Sequence, residues 1–66
     1  MKTIYRIPHP YSNAAQGACI EVFGEPDMGW YDWHVIDARG NITQSDETYG
    51  NPEIALRDAL IYATKD

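Results

Sequence analysis

The sequence has little of what most enzymes and secreted domains need. Its 66 residues include a single cysteine, Cys19, which excludes an internal disulfide and a site built from several thiolates. A chain of this length buries only about 60 % of its unfolded surface, too little for a dinucleotide-binding fold or a deep catalytic pocket. It also has no glycine-rich phosphate loop. We therefore expect one domain over residues 1–66, and a protein that is not an enzyme.

Basic residues and long apolar runs are scarce as well. Five Lys and Arg stand against ten Asp and Glu, which gives a net charge of −5 and a pI near 4.7. This balance disfavours direct binding to nucleic acid and to an anionic membrane. No stretch approaches the roughly 20 apolar residues of a membrane span. Arg6 and Pro8 interrupt the segment where a signal peptide would be apolar. A cytoplasmic location is the expectation.

The apolar pattern predicts an α+β fold, a small antiparallel β-meander of three to four strands packed against one carboxy-terminal helix. The predicted strands are Lys2–Ile7, Ala18–Phe23, Trp30–Ala38 and Ile42–Thr48. Turns are predicted over Gly24–Gly29 and around Gly40. The prolines of Pro8–Asn13 favour an extended connector, and Ser12 and Asn13 are alternative caps for a short helix after it.

The residues Asn51-Pro52-Glu53 predict the start of the helix, with Asn51 as the N-cap and Pro52 at the first helical position. It is predicted to end near Thr64. The apolar face predicted to lie on the sheet consists of Ala55, Leu56, Ala59, Leu60, Tyr62 and Ala63. Ile54 and Ile61 fall on the opposite side and form a second candidate interface, for a homodimer or a partner. A monomer is favoured over a homodimer.

A search for reactive groups yields no catalytic set. Cys19 stands in an apolar run, as expected for a small core residue. Asp32 and His34 are two residues apart on one strand face, a geometry that can bind a metal ion, but no third ligand stands at a suitable spacing. A solvated strand face is the preferred interpretation of this pair. We therefore predict no cofactor and no metal.

The distribution of acidic residues is the most informative feature. Between Arg6 and Arg57 the chain has eight acids and one base, a formal charge of −7. Folding the predicted hairpin at Gly40 places Asp32 opposite Asp46 or Glu47, with Glu47 favoured. The Gly24–Gly29 turn brings two more acids to the same end of the hairpin. The sequence thus predicts five clustered carboxylates with no nearby base, namely those of Glu25, Asp27, Asp32, Asp46 and Glu47.

Such a cluster has two interpretations. Like charges that face one another destabilise a sheet, and conflicts of this kind are expected at functional sites. Carboxylates about 6.6–6.8 Å apart on alternate strand residues resemble successive phosphates and can occupy a Lys/Arg groove meant for nucleic acid. Trp30 and Tyr49 flank the acids and are candidate aromatic anchors. The alternative is an ordinary solubilising surface.

Two resemblances extend this reading. The residues Trp33–Ile42 and Tyr49–Leu60 resemble the strand–turn–strand–helix unit of many small phage and prophage proteins, over about half the chain. In size, acidity and lack of a catalytic set the chain also resembles the small acidic anti-CRISPR inhibitors of type I Cascade complexes. This second resemblance implies a phage-encoded protein in the host bacterial cytoplasm that binds a Cas surveillance complex and blocks target DNA. The alternative function is a small phage structural, assembly or self-associating module.

Overall fold

A computed structural model describes residues 1–10 and 17–64 and shows a four-stranded antiparallel sheet with one helix. The elements are β1 (Lys2–Pro8), β2 (Cys19–Glu25), β3 (Trp30–Ile36), β4 (Ile42–Gln44) and α1 (Pro52–Ala63). Each strand pairs with its neighbours in chain order, β1-β2-β3-β4. The predicted α+β meander is therefore confirmed. Half of the predicted connector, residues 11–13, and the short helix after it lie outside the described residues.

The two central strands have a regular register that separates the two faces of the sheet. Ile20 pairs with Val35 and Val22 pairs with Trp33, and all four side chains are buried under α1. Because side chains alternate along a strand, the residues between them point to the opposite face. In the described ranges no element packs on that second face, which we call the open face.

The first strand lies at an edge beside β2, with an irregularity near its start. Its register against β2 shifts between Thr3 and Tyr5. Strict alternation along a strand would place Ile4 on the face opposite Tyr5 and Ile7. Instead, all three pack against the core, because the extra residue lets Ile4 turn inward. This strand also ends one residue later than predicted, at Pro8.

The helix begins as predicted and packs on the sheet through most of the predicted face, but Tyr62 of that face is 44 % exposed. The side chain of Asn51 accepts hydrogen bonds from the backbone N–H groups of Glu53 and Ile54, at 2.8 and 3.3 Å. Ala55 and Ala59 are completely buried, so the helix backbone approaches the sheet closely. Ile54 and Ile61 are 43 % and 58 % exposed on the outer side. The terminal residues Lys65 and Asp66 lie outside the described part of the chain.

The β3–β4 turn is organised by Asp37. Its carboxylate accepts hydrogen bonds from the backbone N–H groups of Arg39 and Asn41, both at 2.9 Å. These bonds, chiefly that from Asn41, lower the pKa of Asp37. Gly40 adopts a φ of 85°, which glycine tolerates best. The turn sets Ile36 opposite Ile42, and this register decides where the acids of the next segment lie.

Candidate functional site

The first two acids of the predicted cluster, Glu25 at the end of β2 and Asp27 in the β2–β3 turn, lie at one end of the sheet. Glu25 and Trp30 form the last pair of the β2–β3 ladder. The backbone N–H groups of Met28 and Gly29 both donate to the carbonyl of Glu25 at 2.9 Å, which closes the turn. Asp27 lies exposed in this turn. We call this end of the sheet, where the β2–β3 turn lies, the acidic end.

Asp32 lies on the open face, two residues beyond Trp30 on β3. It pairs with Phe23 of β2, and both side chains are half-buried. His34 is on the same face, as its spacing from Asp32 predicts. Its Nε2 lies 2.7 Å from Oε1 of Glu21, its direct cross-strand partner, so the histidine is engaged there.

The segment with Asp46 and Glu47 does not form the predicted strand. β4 ends at Gln44 rather than near Thr48. The hydroxyl of Ser45 accepts a hydrogen bond from the Trp33 N–H at 3.2 Å, in place of a backbone carbonyl, and regular pairing stops there. The next pair is an isolated bridge between Tyr31 and Tyr49.

This interruption corrects the predicted pairing of the acids. From the Trp33–Ser45 hydrogen bonds to the Tyr31–Tyr49 bridge, β3 advances by two residues, from Trp33 to Tyr31. The segment after β4 advances by four, from Ser45 to Tyr49. The two extra residues must loop out of the ladder. As a result, the described sheet pairs Asp32 with neither Asp46 nor Glu47 across β3 and β4. Both of these acids are exposed in the looped segment beside the Tyr31–Tyr49 bridge.

The charges around the five carboxylates differ from the expectation at one position. Glu25 forms an ion pair with the amino-terminal ammonium group of Met1, so the prediction of no nearby base is wrong for this residue. Within the described residues, the other four carboxylates, those of Asp27, Asp32, Asp46 and Glu47, have no ion-pair partner. Their charge is therefore available at the surface.

The two predicted aromatic anchors occupy different environments. Trp30 is half-buried beside the acids on the open face. Tyr49 packs against the core, where its hydroxyl accepts a hydrogen bond from Nε1 of Trp33 at 3.3 Å. Burial raises the pKa of Tyr49, the Trp33 bond lowers it, and Asp58 and Glu47 raise it further. Tyr49 thus has a clear structural role, and Glu47 lies close enough to influence its hydroxyl.

Sequence reasoning missed two residues on the open face, Glu21 and Phe23. The Phe23 ring lies against the His34 ring, with centroids 5.0 Å apart. Together with Lys2, Thr3 and Gln44, these side chains line a groove of about 430 Å³. The signal was present, because the odd-numbered residues of β2 share one face and include Glu21, Phe23 and Glu25.

The remaining candidates for chemistry are accounted for by their surroundings. Cys19 is buried, as its apolar context predicts. Within residues 1–10 and 17–64, no three His, Cys, Asp or Glu side chains gather closely enough to hold a metal ion. The helix α1 is too short to cross a membrane, and no other described helix could do so.

Comparisons with known proteins assign no function to this site. No protein-family model matches the chain, and no curated protein or solved structure shows a significant similarity to it.

Proposed function

We propose that this protein is a non-enzymatic inhibitor that binds a nucleic-acid-handling protein through its acidic end, as a mimic of DNA. The observation that supports this most directly is a set of four carboxylates that have no ion-pair partner among the described residues. They come from three separate chain segments around one end of the sheet. None of them faces another across the described strand pairs, but together they make this end of the sheet negative. A basic partner surface would complement that charge.

The charge and size of the chain favour action by surface contact. A net charge of −5 on 66 residues steers the protein toward basic surfaces. The same surfaces on DNA-binding proteins are lined by Lys and Arg that neutralise phosphates. A carboxylate array placed there excludes DNA without any reaction.

The resemblance to small acidic anti-CRISPR proteins supplies the candidate partner. On this proposal the protein is phage-encoded, acts in the bacterial cytoplasm, and binds a type I Cascade surveillance complex. The residues proposed to face the complex are Glu25, Asp27, Asp32, Asp46 and Glu47, with Trp30 as an aromatic anchor and Tyr49 behind them.

The test is a binding measurement against a panel of purified type I Cascade complexes. The double variant Asp32→Asn plus Glu47→Gln removes two of the unpaired charges. We expect it to bind at least about tenfold more weakly than the natural sequence, a loss of about 1.4 kcal/mol. The control Ala38→Lys plus Ile42→Lys changes the net charge by the same amount at exposed positions beside the β3–β4 turn, away from the acidic end.

The control separates a local effect from a general one. Equal losses in both double variants would show that only net charge matters and would contradict a specific acidic surface. Unchanged binding of the Asp32/Glu47 variant would contradict the electrostatic proposal altogether.

A second candidate function rests on the outer side of α1. Ile54 and Ile61 are both exposed there, which fits a small self-associating or phage assembly module. This alternative predicts a dimer in sedimentation that persists at high salt and that Ile61→Asp dissolves. A monomer at all concentrations would exclude it.

A further inference from the structure

The open face carries a patch in which aromatic rings and carboxylates alternate. Phe23 pairs with Asp32, and Glu25 pairs with Trp30. Phe23 and Glu25 are two residues apart on β2, as are Trp30 and Asp32 on β3, so all four side chains share one face. The rings occupy one diagonal of this square and the carboxylates the other. We call these four residues the aromatic–acidic patch.

The dimensions of the patch fit a single cationic side chain. Facing residues on paired strands lie about 5 Å apart, and alternate residues on one strand about 7 Å apart. A group placed between the four side chains therefore reaches a ring and a carboxylate at once. The adjoining groove of about 430 Å³, which Phe23 and His34 help to line, leaves room for the rest of such a side chain.

The surrounding face already holds cations of the chain itself. The ammonium group of Met1 pairs with Glu25 inside the patch. Arg6 lies 3.9 Å from Glu21 in the next row of the face. Asp32 is the member of the patch that has no ion-pair partner among the described residues, and it is half-buried between the two aromatic positions.

We propose that the aromatic–acidic patch receives an arginine side chain of the partner protein. This inference rests on the proposed function and names the group that the partner supplies. A guanidinium group is planar, stacks on aromatic rings and bonds a carboxylate through two N–H groups at once. A lysine ammonium group also interacts with aromatic faces, but it has no planar face to stack and cannot bond a carboxylate through a fixed pair of N–H groups. The patch is therefore expected to bind arginine more tightly than lysine. Carboxylates without the aromatic rings would distinguish the two side chains much less.

Other occupants of the open face fit less well. A nucleic acid strand would bring phosphates against a chain of net charge −5. A second copy would set the acids of one face against those of the other. Four strands of at most seven residues also offer only about 450 Å² per copy, so a dimer would bury about 900 Å², below the roughly 1,200 Å² of stable interfaces.

The test uses hexa-arginine and hexa-lysine peptides, which carry equal charge, in NMR titrations of the full chain at 150 mM salt. We expect hexa-arginine to bind about fivefold more tightly, with the largest shifts at Phe23, Trp30 and Asp32. Trp30→Leu should weaken binding of hexa-arginine more than that of hexa-lysine and bring the two affinities within about twofold of each other. Asp32→Asn should weaken both and reduce the preference. The control Tyr62→Leu alters an exposed aromatic residue on α1 and should change neither.

The outcomes separate the two proposals. Equal affinities with shifts confined to Asp27, Asp46 and Glu47 would overturn the arginine assignment and leave the acidic end as a basic-surface binder. Absence of binding by both peptides, even at 20 mM salt, would contradict the proposed function as well.

Discussion

Tyr49 shows how a single residue joins the core to the acidic end. Its backbone N–H and carbonyl exchange two hydrogen bonds with Tyr31, at 2.7 and 2.8 Å. Its side chain packs against the core and accepts the Trp33 indole N–H. The neighbouring carboxylates of Asp58 and Glu47 disfavour its ionised form, in addition to burial. The residue therefore fixes the looped segment that carries Asp46 and Glu47.

The raised pKa of Tyr49 predicts a loss of stability in alkali. Folding favours the protonated phenol, so its contribution is complete below the unfolded pKa near 10 and is lost as the pH rises through the higher folded value. Denaturant unfolding between pH 8 and 12 should show stability falling less steeply for Tyr49→Phe than for the natural sequence. At pH 8 the variant should be less stable by about 1 kcal/mol, from the lost Trp33 hydrogen bond.

Tyr62→Phe is the matched control for the alkaline experiment, because its hydroxyl is on an exposed residue and bonds Thr43. Comparison of its alkaline slope with that of Tyr49→Phe separates an effect specific to the Tyr49 hydroxyl from the loss of any tyrosine hydroxyl. Identical slopes for all three proteins would show that Tyr49 is not held in its protonated form.

Gly24 allows the two central strands to approach closely at the acidic end. A β-carbon there would overlap the backbone carbonyl oxygen of Trp30 and come within 2.9 Å of the Tyr31 Cα. Gly24→Ala is therefore expected to reduce the free energy of unfolding by about 1–3 kcal/mol, measured in urea. Gly50→Ala is the control, since its β-carbon would meet nothing within 4 Å. Equal stabilities of the two variants would contradict the close approach.

At the scale of elements, local signals predicted α1 well and β4 poorly. The caps and apolar spacing of a helix lie within its own sequence, so Asn51-Pro52-Glu53 was enough to place its start. The end of β4 depends on a hydroxyl–backbone hydrogen bond between Ser45 and Trp33, twelve residues apart, which no local pattern reports. Interactions between residues this far apart in sequence determine the strand register, and the secondary-structure propensities of single residues do not report them.

The same distinction explains how much of the candidate site was predictable. The predicted Gly24–Gly29 turn correctly placed Glu25 and Asp27 at one end of the sheet, because Gly, Pro and Asp favour turns. The strand β2 nevertheless continues through Glu25, and the turn spans only residues 26–29. Phe23 pairs with Asp32 because Glu25 and Trp30 form the last pair of the β2–β3 ladder. Hairpin loops of two to five residues are all common, so the sequence alone allowed several alternative last pairs. The aromatic–acidic patch therefore emerges only from the register.

The N-cap of α1 gives a direct test at this scale. Asn51→Ala removes the acceptor for the Glu53 and Ile54 N–H groups and should lower stability by about 1 kcal/mol in thermal or urea unfolding. Asn51→Asp keeps an acceptor at the positive end of the helix dipole and should stay close to the natural sequence. Equal losses in both would show that the cap contributes nothing specific.

At the scale of the whole molecule, the two-layer shape and the negative net charge both favour binding through the surface. The chain measures 33 × 22 × 16 Å, two layers formed by the sheet and one helix. The helix covers one face of the sheet, and the proposed contact surface combines the open face with the acidic end. The described bases Lys2 and Arg6 are on the edge strand β1, Arg39 is in the β3–β4 turn and Arg57 is on the helix. A molecule of this shape offers surface rather than a pocket.

Competition with DNA tests the central proposal most directly. A type I Cascade complex that binds this protein should be titrated with it before and after saturation with its target duplex. We predict that the DNA-loaded complex no longer binds the protein, and that affinity for the free complex falls steeply between 50 and 300 mM salt, as expected for an ionic interface. Equal, salt-independent binding to the free and the DNA-loaded complex would contradict the proposal that the acidic end takes the place of DNA.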